Sequence, residues 1–170
     1  YNSGRNNTTG SGNIAVGSLA LQGTSSSAYN YSIAIGYRAL FSISTGGLNI
    51  ALGFDAGNKL TSGTNNLFIG DSAGYNITTS GYNIAIGSSA GKNWSGTLGL
   101  QSIGVNAGIS STGNYNLLIG QNAGTVCGGN NVMVGGLSTG QFTTGSNNTL
   151  LGYRAGVGVM GVTTYDSSVI

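Results

Sequence analysis

One block, Asn-[Ile/Leu]-x-[Ile/Leu]-Gly-x-x-Ala-Gly, recurs in phase along the whole chain. It stands as Asn49-Ile50-Ala51-Leu52-Gly53-Phe54-Asp55-Ala56-Gly57, again from Asn66 to Gly74, and again from Asn83 to Gly91. Self-similarity at a short fixed period settles architecture before any local preference is weighed. The glycine that closes the apolar triplet marks the phase at Gly17, Gly36, Gly53, Gly70, Gly87, Gly104, Gly120, Gly135 and Gly152, with spacings of 19, 17, 17, 17, 17, 16, 15 and 17 residues. The variation falls in the Thr/Ser-Gly segment between blocks, as in a solenoid whose turns absorb insertions. Residues 1–170 therefore read as a single repeat array of about nine coils. Both ends fall within a repeat, Tyr1 to Gly12 as the tail of one unit and Asp166 to Ile170 as the start of another, so a longer fibre is expected.

The apolar triplets alternate. Alternation gives two faces. Ile14/Val16, Ile33/Ile35, Ile50/Leu52, Leu67/Ile69, Ile84/Ile86, Leu117/Ile119 and Val132/Val134 share one face, which is expected to be the core of the coil. The other face carries Ala34, Ala51, Phe68, Ala85, Ser102, Leu118, Met133 and Leu150. It is uncharged, with Ser102 its one polar member, so it is expected to be covered as well, most simply by other copies of the chain. Ala34, Ala51, Phe68, Ala85, Leu118, Met133 and Leu150 are accordingly the candidate trimer face. The Ala of each Ala-Gly pair is expected in a second short strand, so that each coil of about 17 residues, roughly 55 Å round at ~3.3 Å per residue, holds two strands and two turns. Asn49, Asn66, Asn83, Asn116, Asn131 and Asn148 recur at one position and would form a stacked Asn ladder in a parallel array.

The chemistry of catalysis is missing. There is no His and one Cys, with three Asp and no Glu, among 5% charged residues. No Ser-His-Asp or Cys-His arrangement can be built. No Cys/His zinc cluster or clustered-acid calcium loop is possible either. Paired-carboxylate hydrolysis would need two of Asp55, Asp71 and Asp166 together; Asp55 and Asp71 sit one register step apart in adjacent coils. Arg38 and Asp55 share a register and read as a weak surface ion pair. No catalytic residue, metal ligand or cofactor site is assigned, and the chain is not expected to be an enzyme. A net charge of +2 predicts no nucleic-acid partner, and no apolar run is long enough to insert in a membrane. Cys127 reads as a small turn residue. Asn-x-Ser/Thr sequons at Asn6, Asn7, Asn30, Asn76, Asn93 and Asn147 follow from an Asn/Ser/Thr-rich composition.

One stretch departs from the pattern. In Lys92-Asn93-Trp94-Ser95-Gly96-Thr97-Leu98-Gly99-Leu100 the ladder Asn is replaced by Leu100, and the single Trp precedes it. Either the coil bulges there or the turn carries a contact.

The Asn-x-Ala-[Ile/Val]-Gly-x-x-Ala block with its polar, Gly-containing turn resembles the head repeats of trimeric autotransporter adhesins (the YadA-like family). It also resembles the related repeats of phage and phage-like tail fibres. The resemblance runs from Asn13 to Tyr153 and is cleanest between Asn49 and Gly91. It implies a left-handed parallel β-roll, three chains side by side in a homotrimeric rod, and no catalysis. It further implies an extracellular location on a cell or virion surface, and attachment to a host cell or matrix through a surface glycan or protein receptor. The chain departs from adhesin heads in its Ala-Gly pair and its longer polar turn, and shows no stalk or anchor.

Three functions compete. A trimeric fibre or adhesin segment would use Trp94, Tyr37, Phe54, Tyr75 and Tyr153 as candidate ligand contacts. A monomeric solenoid could instead meet ice or a carbohydrate surface through Thr/Ser and aromatic ladders, with Thr61, Thr79, Thr112 and Thr144 as candidates. A polysaccharide-cleaving solenoid fails on the missing carboxylates.

Overall fold

Each repeat supplies one short strand, because only the apolar triplet has the alternation a strand requires. The computed structural model describes residues 2–24, 26–137 and 145–156. Nine strands of three residues follow in order: β1 (Ile14–Val16), β2 (Ile33–Ile35), β3 (Ile50–Leu52), β4 (Leu67–Ile69), β5 (Ile84–Ile86), β6 (Gln101–Ile103), β7 (Leu117–Ile119), β8 (Val132–Val134) and β9 (Thr149–Leu151). They form one parallel sheet in sequence order. Equivalent residues pair from coil to coil, as in Ala34↔Ala51 and Ala51↔Phe68. Parallel neighbours in chain order mean that the backbone makes one full turn between strands. The fold is an all-β parallel solenoid of about eight turns. The segment before β1 belongs to the same winding, since the Gly4 N–H donates to Ala20 O and Asn7 bridges Ser27. The repeat start expected from Asp166 onward lies outside the described residues.

The expected second strand is absent among the described residues. The Ala-Gly pairs lie in turns instead. The backbone there alternates in the sign of φ: Gly53 at +141°, Asp55 at +55° and Gly57 at +59°, a pattern incompatible with an extended strand. Coils remain stitched together at this side, with Leu40 N–H to Ala56 O at 3.0 Å, Gly57 to Ala73 at 2.9 Å and Gly74 to Ala90 at 2.9 Å. The phase-marking glycine is required by crowding as well as by φ: a Cβ on Gly53 would come within 2.5 Å of the Gly70 carbonyl oxygen.

The two strand faces are the reverse of the sequence reading. Ala34, Ala51, Phe68, Ala85, Ser102, Leu118, Met133 and Leu150 point inward and are buried within the single coil. The Ile/Leu/Val face points out. The interior is narrow, so a layer with a large residue at one inward position keeps small ones beside it, and the second set of long aliphatic residues is turned away. Burial of the first set needs no partner chain, and its assignment as a trimer face is corrected accordingly.

Packing between coils is complementary. Position 40 is Leu, and the equivalent positions 57 and 74 are Gly. The space this leaves is taken by Phe68, which stands between Ala51 and Ala85 in its column: a Cβ on Gly57 or Gly74 would meet its ring at 2.6 or 2.5 Å. Close packing of this kind makes a cavity costly. Phe68→Ala should lower unfolding free energy by about 3–5 kcal/mol, measured by urea denaturation; a loss under about 1 kcal/mol would show that this column is loosely filled.

Candidate functional site

The described residues hold no group of three or more His, Cys, Asp or Glu placed to bind a metal. The features that can do chemistry or recognition are a buried amide ladder, an exposed apolar face, an aromatic and cationic edge, and a groove at the divergent coil.

The ladder is made by Asn side chains directed inward just before each strand. Asn49 Oδ1 accepts from both the N–H and the Nδ2 of Asn66, each at 3.0 Å, and Asn66 Oδ1 accepts likewise from Asn83 at 3.1 and 2.9 Å. Asn116 and Asn131, and Asn131 and Asn148, repeat the arrangement. The Nδ2 groups also donate to turn carbonyls, Asn49 to Gly63 and Asn66 to Ser80. Leu100 interrupts the series, yet its N–H still donates to Asn83 Oδ1 at 3.0 Å. The ladder satisfies buried backbone and side chain together, so its role is structural.

The outward face runs the length of the solenoid. Along each coil the outward residues alternate with buried ones, so that Tyr82, Ile84 and Ile86 share a face while Asn83 and Ala85 point in. The equivalent trios are Tyr31/Ile33/Ile35, Leu48/Ile50/Leu52 and Tyr115/Leu117/Ile119. Exposure reaches 50% at Ile14, 54% at Val16 and 59% at Leu151. Sequence reasoning missed the tyrosines of this face. Tyr31, Tyr82 and Tyr115 are more than 60% exposed and hold φ of +52°, +59° and +56°. Asn65, Asn130 and Asn147 take the same conformation at the equivalent position, which suits Asn far better than an aromatic. Large exposed side chains at strained backbone positions were the available signal.

Beyond the strands lies the second edge. Tyr37 and Phe54 are exposed and stack at 5.3 Å between ring centroids. Arg38 lies 5.4 Å from the Tyr37 ring centre. Its guanidinium makes a two-pronged bond to Asp55, 2.7 Å on each branch, with Asn58 Nδ2 adding a third bond at 3.0 Å. Asp55 is buried, so the pair is not the weak surface contact expected from the sequence; one carboxylate, withdrawn from water, is fully engaged. That bond also raises the Arg38 pKa. Tyr75 sits between Lys59 and Lys92, whose ammonium groups are 5.4 and 5.8 Å from its ring centre. Tyr153 is exposed at the far end of this side. Tyr37 and Phe54 are thus in contact beside Arg38, and Tyr75 lies between two lysines, whereas Trp94 belongs elsewhere.

Trp94 is 3% exposed. It continues the interior column of Ile43, Leu60 and Ile77, and small Ser111 and Cys127 follow it. Its Nε1 donates to Gly113 O at 2.9 Å. It is a core residue with one edge on a groove, and its assignment as a surface stacking platform is corrected. The groove, about 450 Å³, is lined by Asn76 to Ser80 of one coil and Asn93 to Thr97 of the next. The sequon amides Asn76 and Asn93 are bonded to each other there at 2.6 Å. Of the Thr/Ser candidates, Thr79 lines this groove and the Thr61 hydroxyl donates to Thr78 O; Thr144 lies outside the described residues.

Cys127 is buried against Ser111, 3.1 Å away, and burial raises its pKa to about 11. No family model matches the chain, and no curated protein or solved structure does either. No helix among the described residues is long and apolar enough to cross a membrane.

Two outcomes follow. Asn66→Ala removes the Nδ2 donor to Asn49 Oδ1 and Ser80 O and the Oδ1 acceptor for Asn83, and should cost about 1–3 kcal/mol, read as a lowered urea midpoint; an unchanged midpoint would mean that water replaces the amide. Cys127, neutral and enclosed, should resist a thiol reagent at pH 8 until urea unfolds the chain; rapid labelling of the folded protein would contradict its placement.

Proposed function

We propose that this chain is a segment of a homotrimeric, surface-displayed adhesive fibre, wound left-handed, that serves in attachment to a host cell or matrix. The observation that carries the reading is the exposed apolar face. Eight spacings of about 4.8 Å make it roughly 38 Å long, and three outward positions, each taking up about 6.6 Å of the strand, make it roughly 20 Å wide. That is on the order of 760 Å², close to the ~800 Å² each partner gives to a stable interface and beyond what monomers leave bare.

The tyrosines support the same reading. An aromatic at positive φ carries backbone strain, and in the isolated chain Tyr31, Tyr82 and Tyr115 recover little of it, being mostly exposed. A partner against them would. The chain number of three, the winding sense and the surface location come from the resemblance to adhesin heads and tail fibres. The lack of His in the sequence, and of clustered metal ligands among the described residues, favours a passive role over catalysis. For the solitary ice-binding alternative, the exposed face is wrong in kind: its outward columns are mostly Ile, Leu, Val and Tyr, with Gln101, Thr149 and several Asn among them, rather than a regular array of Thr.

Light scattering on the chain in dilute solution should give three times 16.9 kDa. Ile69→Asp with Ile86→Asp, both on the outward face, should yield a folded monomer. A wild-type monomer with the face exposed would overturn the reading, and a dimer would overturn its threefold form.

A further inference from the structure

Among the described residues, the coil-to-coil stitching on the turn side lapses between the coils of Ile77 and Trp94. In regular coils the residue after the buried Leu or Ile donates to the next coil: Ser44 N–H to Thr61 O at 2.8 Å, then Thr61 N–H to Thr78 O at 2.7 Å. Among the described residues, no equivalent bond leaves the Thr78 N–H. The stitching is intact just before this break, where Asn76 N–H donates to Lys92 O at 2.8 Å, and resumes after it at the Gly81–Leu98 bridge. Between those points one coil has residues 77–80 and the next has residues 93–97, one residue more.

The cause is local. Trp94 occupies a column built for Ile or Leu, and its coil is drawn toward the following one. Besides the Trp94–Gly113 bond, Asn114 Oδ1 accepts from Thr97 N–H at 2.7 Å and from Leu98 N–H at 3.2 Å. The segment is held on one side and released on the other. The groove is the result.

We infer that this groove is a binding site for a neutral saccharide unit, a hexose or N-acetylhexosamine of a larger glycan. Its volume of about 450 Å³ lies within the ~300–1,000 Å³ of small-ligand sites. Amides at Asn76 and Asn93, hydroxyls at Thr79 and Ser95, and the released Thr78 N–H offer donors and acceptors without one charged side chain in the lining. A phosphate or a charged peptide would find no counter-charge there. A lipid chain would meet a polar wall, and an extended peptide needs a row of free backbone groups where only one bond is missing. A sugar ring, with hydroxyls on its rim, matches the set. The groove lies within one chain and off the outward strand face, so assembly would leave it open. The inference deepens the attachment reading and rests on it for the glycan's biological setting, while its geometry stands without assembly.

Trp94 is the single tryptophan and reports on its own site. Titrating the full chain with N-acetylglucosamine, chitobiose, galactose, lactose and maltose should change Trp fluorescence saturably for at least one neutral sugar, with matching saturation-transfer NMR signals. Asn76→Ala with Thr79→Ala removes groove contacts from exposed and half-buried positions and should weaken binding about tenfold or more, as expected for two lost hydrogen bonds. The Ile69→Asp/Ile86→Asp variant should bind as wild type does. Absence of binding by every neutral sugar to the folded chain would overturn the inference, as would binding unchanged in the groove variant. Selective binding of an acidic sugar or a peptide alone would overturn it too. None of these results bears on the association state, which light scattering decides separately.

Discussion

The narrow interior of the coil governs the rest of the structure. A backbone that closes one turn in about 17 residues encloses room for about two larger side chains and one or two small ones per layer beside the ladder amide, as with Phe68, Ile77 and Ala73. Each coil must therefore choose where its volume goes. Ala34 is accompanied by Leu40, whereas Phe68 stands between Gly57 and Gly74. Long aliphatic residues that do not fit are placed outside, and a solenoid with a filled core comes to carry a second, uncovered apolar face. The exposed stripe follows from the same volume limit that makes the core compact, and this is why association is a natural end for such a chain.

A thin coil also places most of its backbone near the interior, where unpaired polar groups are costly. Stacking in register solves this with coil-to-coil bonds all round the turn, including the irregular side where the chain alternates between positive and negative φ. The Asn ladder completes the pairing where the chain enters each strand. So few charges are needed because amides and hydroxyls already satisfy one another. Arg38–Asp55 is the exception that fits the rule: Asp55 occupies a buried turn position and is tolerated with three donors on its carboxylate.

Periodicity alone disclosed the parallel solenoid, its phase and the divergent coil, because all three depend on residue spacing. Alternation also separated the strand residues into two sets correctly. It could not say which set is inside, since both are apolar, and hydrophobicity wrongly favoured the Ile/Leu set. The decisive clue was compensation between positions: Leu21 and Leu40 against Gly57, Gly74 and Gly91, with Phe68 placed among the glycines. Such exchange of volume marks residues that touch in a shared interior. Trp94 was misread for a related reason. A lone Trp in a polar turn suggests a surface contact, but counting from Ile43 through Leu60 and Ile77 by 17 residues lands on position 94, which places it in the core column. The second strand was expected because the Ala of each Ala-Gly pair reads as a small core residue, which it is; only the left-handed residues beside it, such as Asp55 and Gly57, show that the chain there is a turn.

The divergent coil also shows what a one-dimensional architecture permits. Each repeat contacts chiefly its neighbours, so a local departure is not transmitted through a common core. Trp94 enlarges one layer, Ser111 and Cys127 give back space below it, and Leu100 replaces a ladder amide while its N–H keeps the backbone bond to Asn83. The strands stay paired in register through it, β5 with β6 and β6 with β7, and the ladder resumes at Asn116. The break in stitching is confined to a few residues on one side of one coil. A chain built from repeats can thus hold an individual groove at a single position while keeping a continuous face for assembly along its length. That separation lets recognition vary without disturbing the volume constraint on which the fold depends.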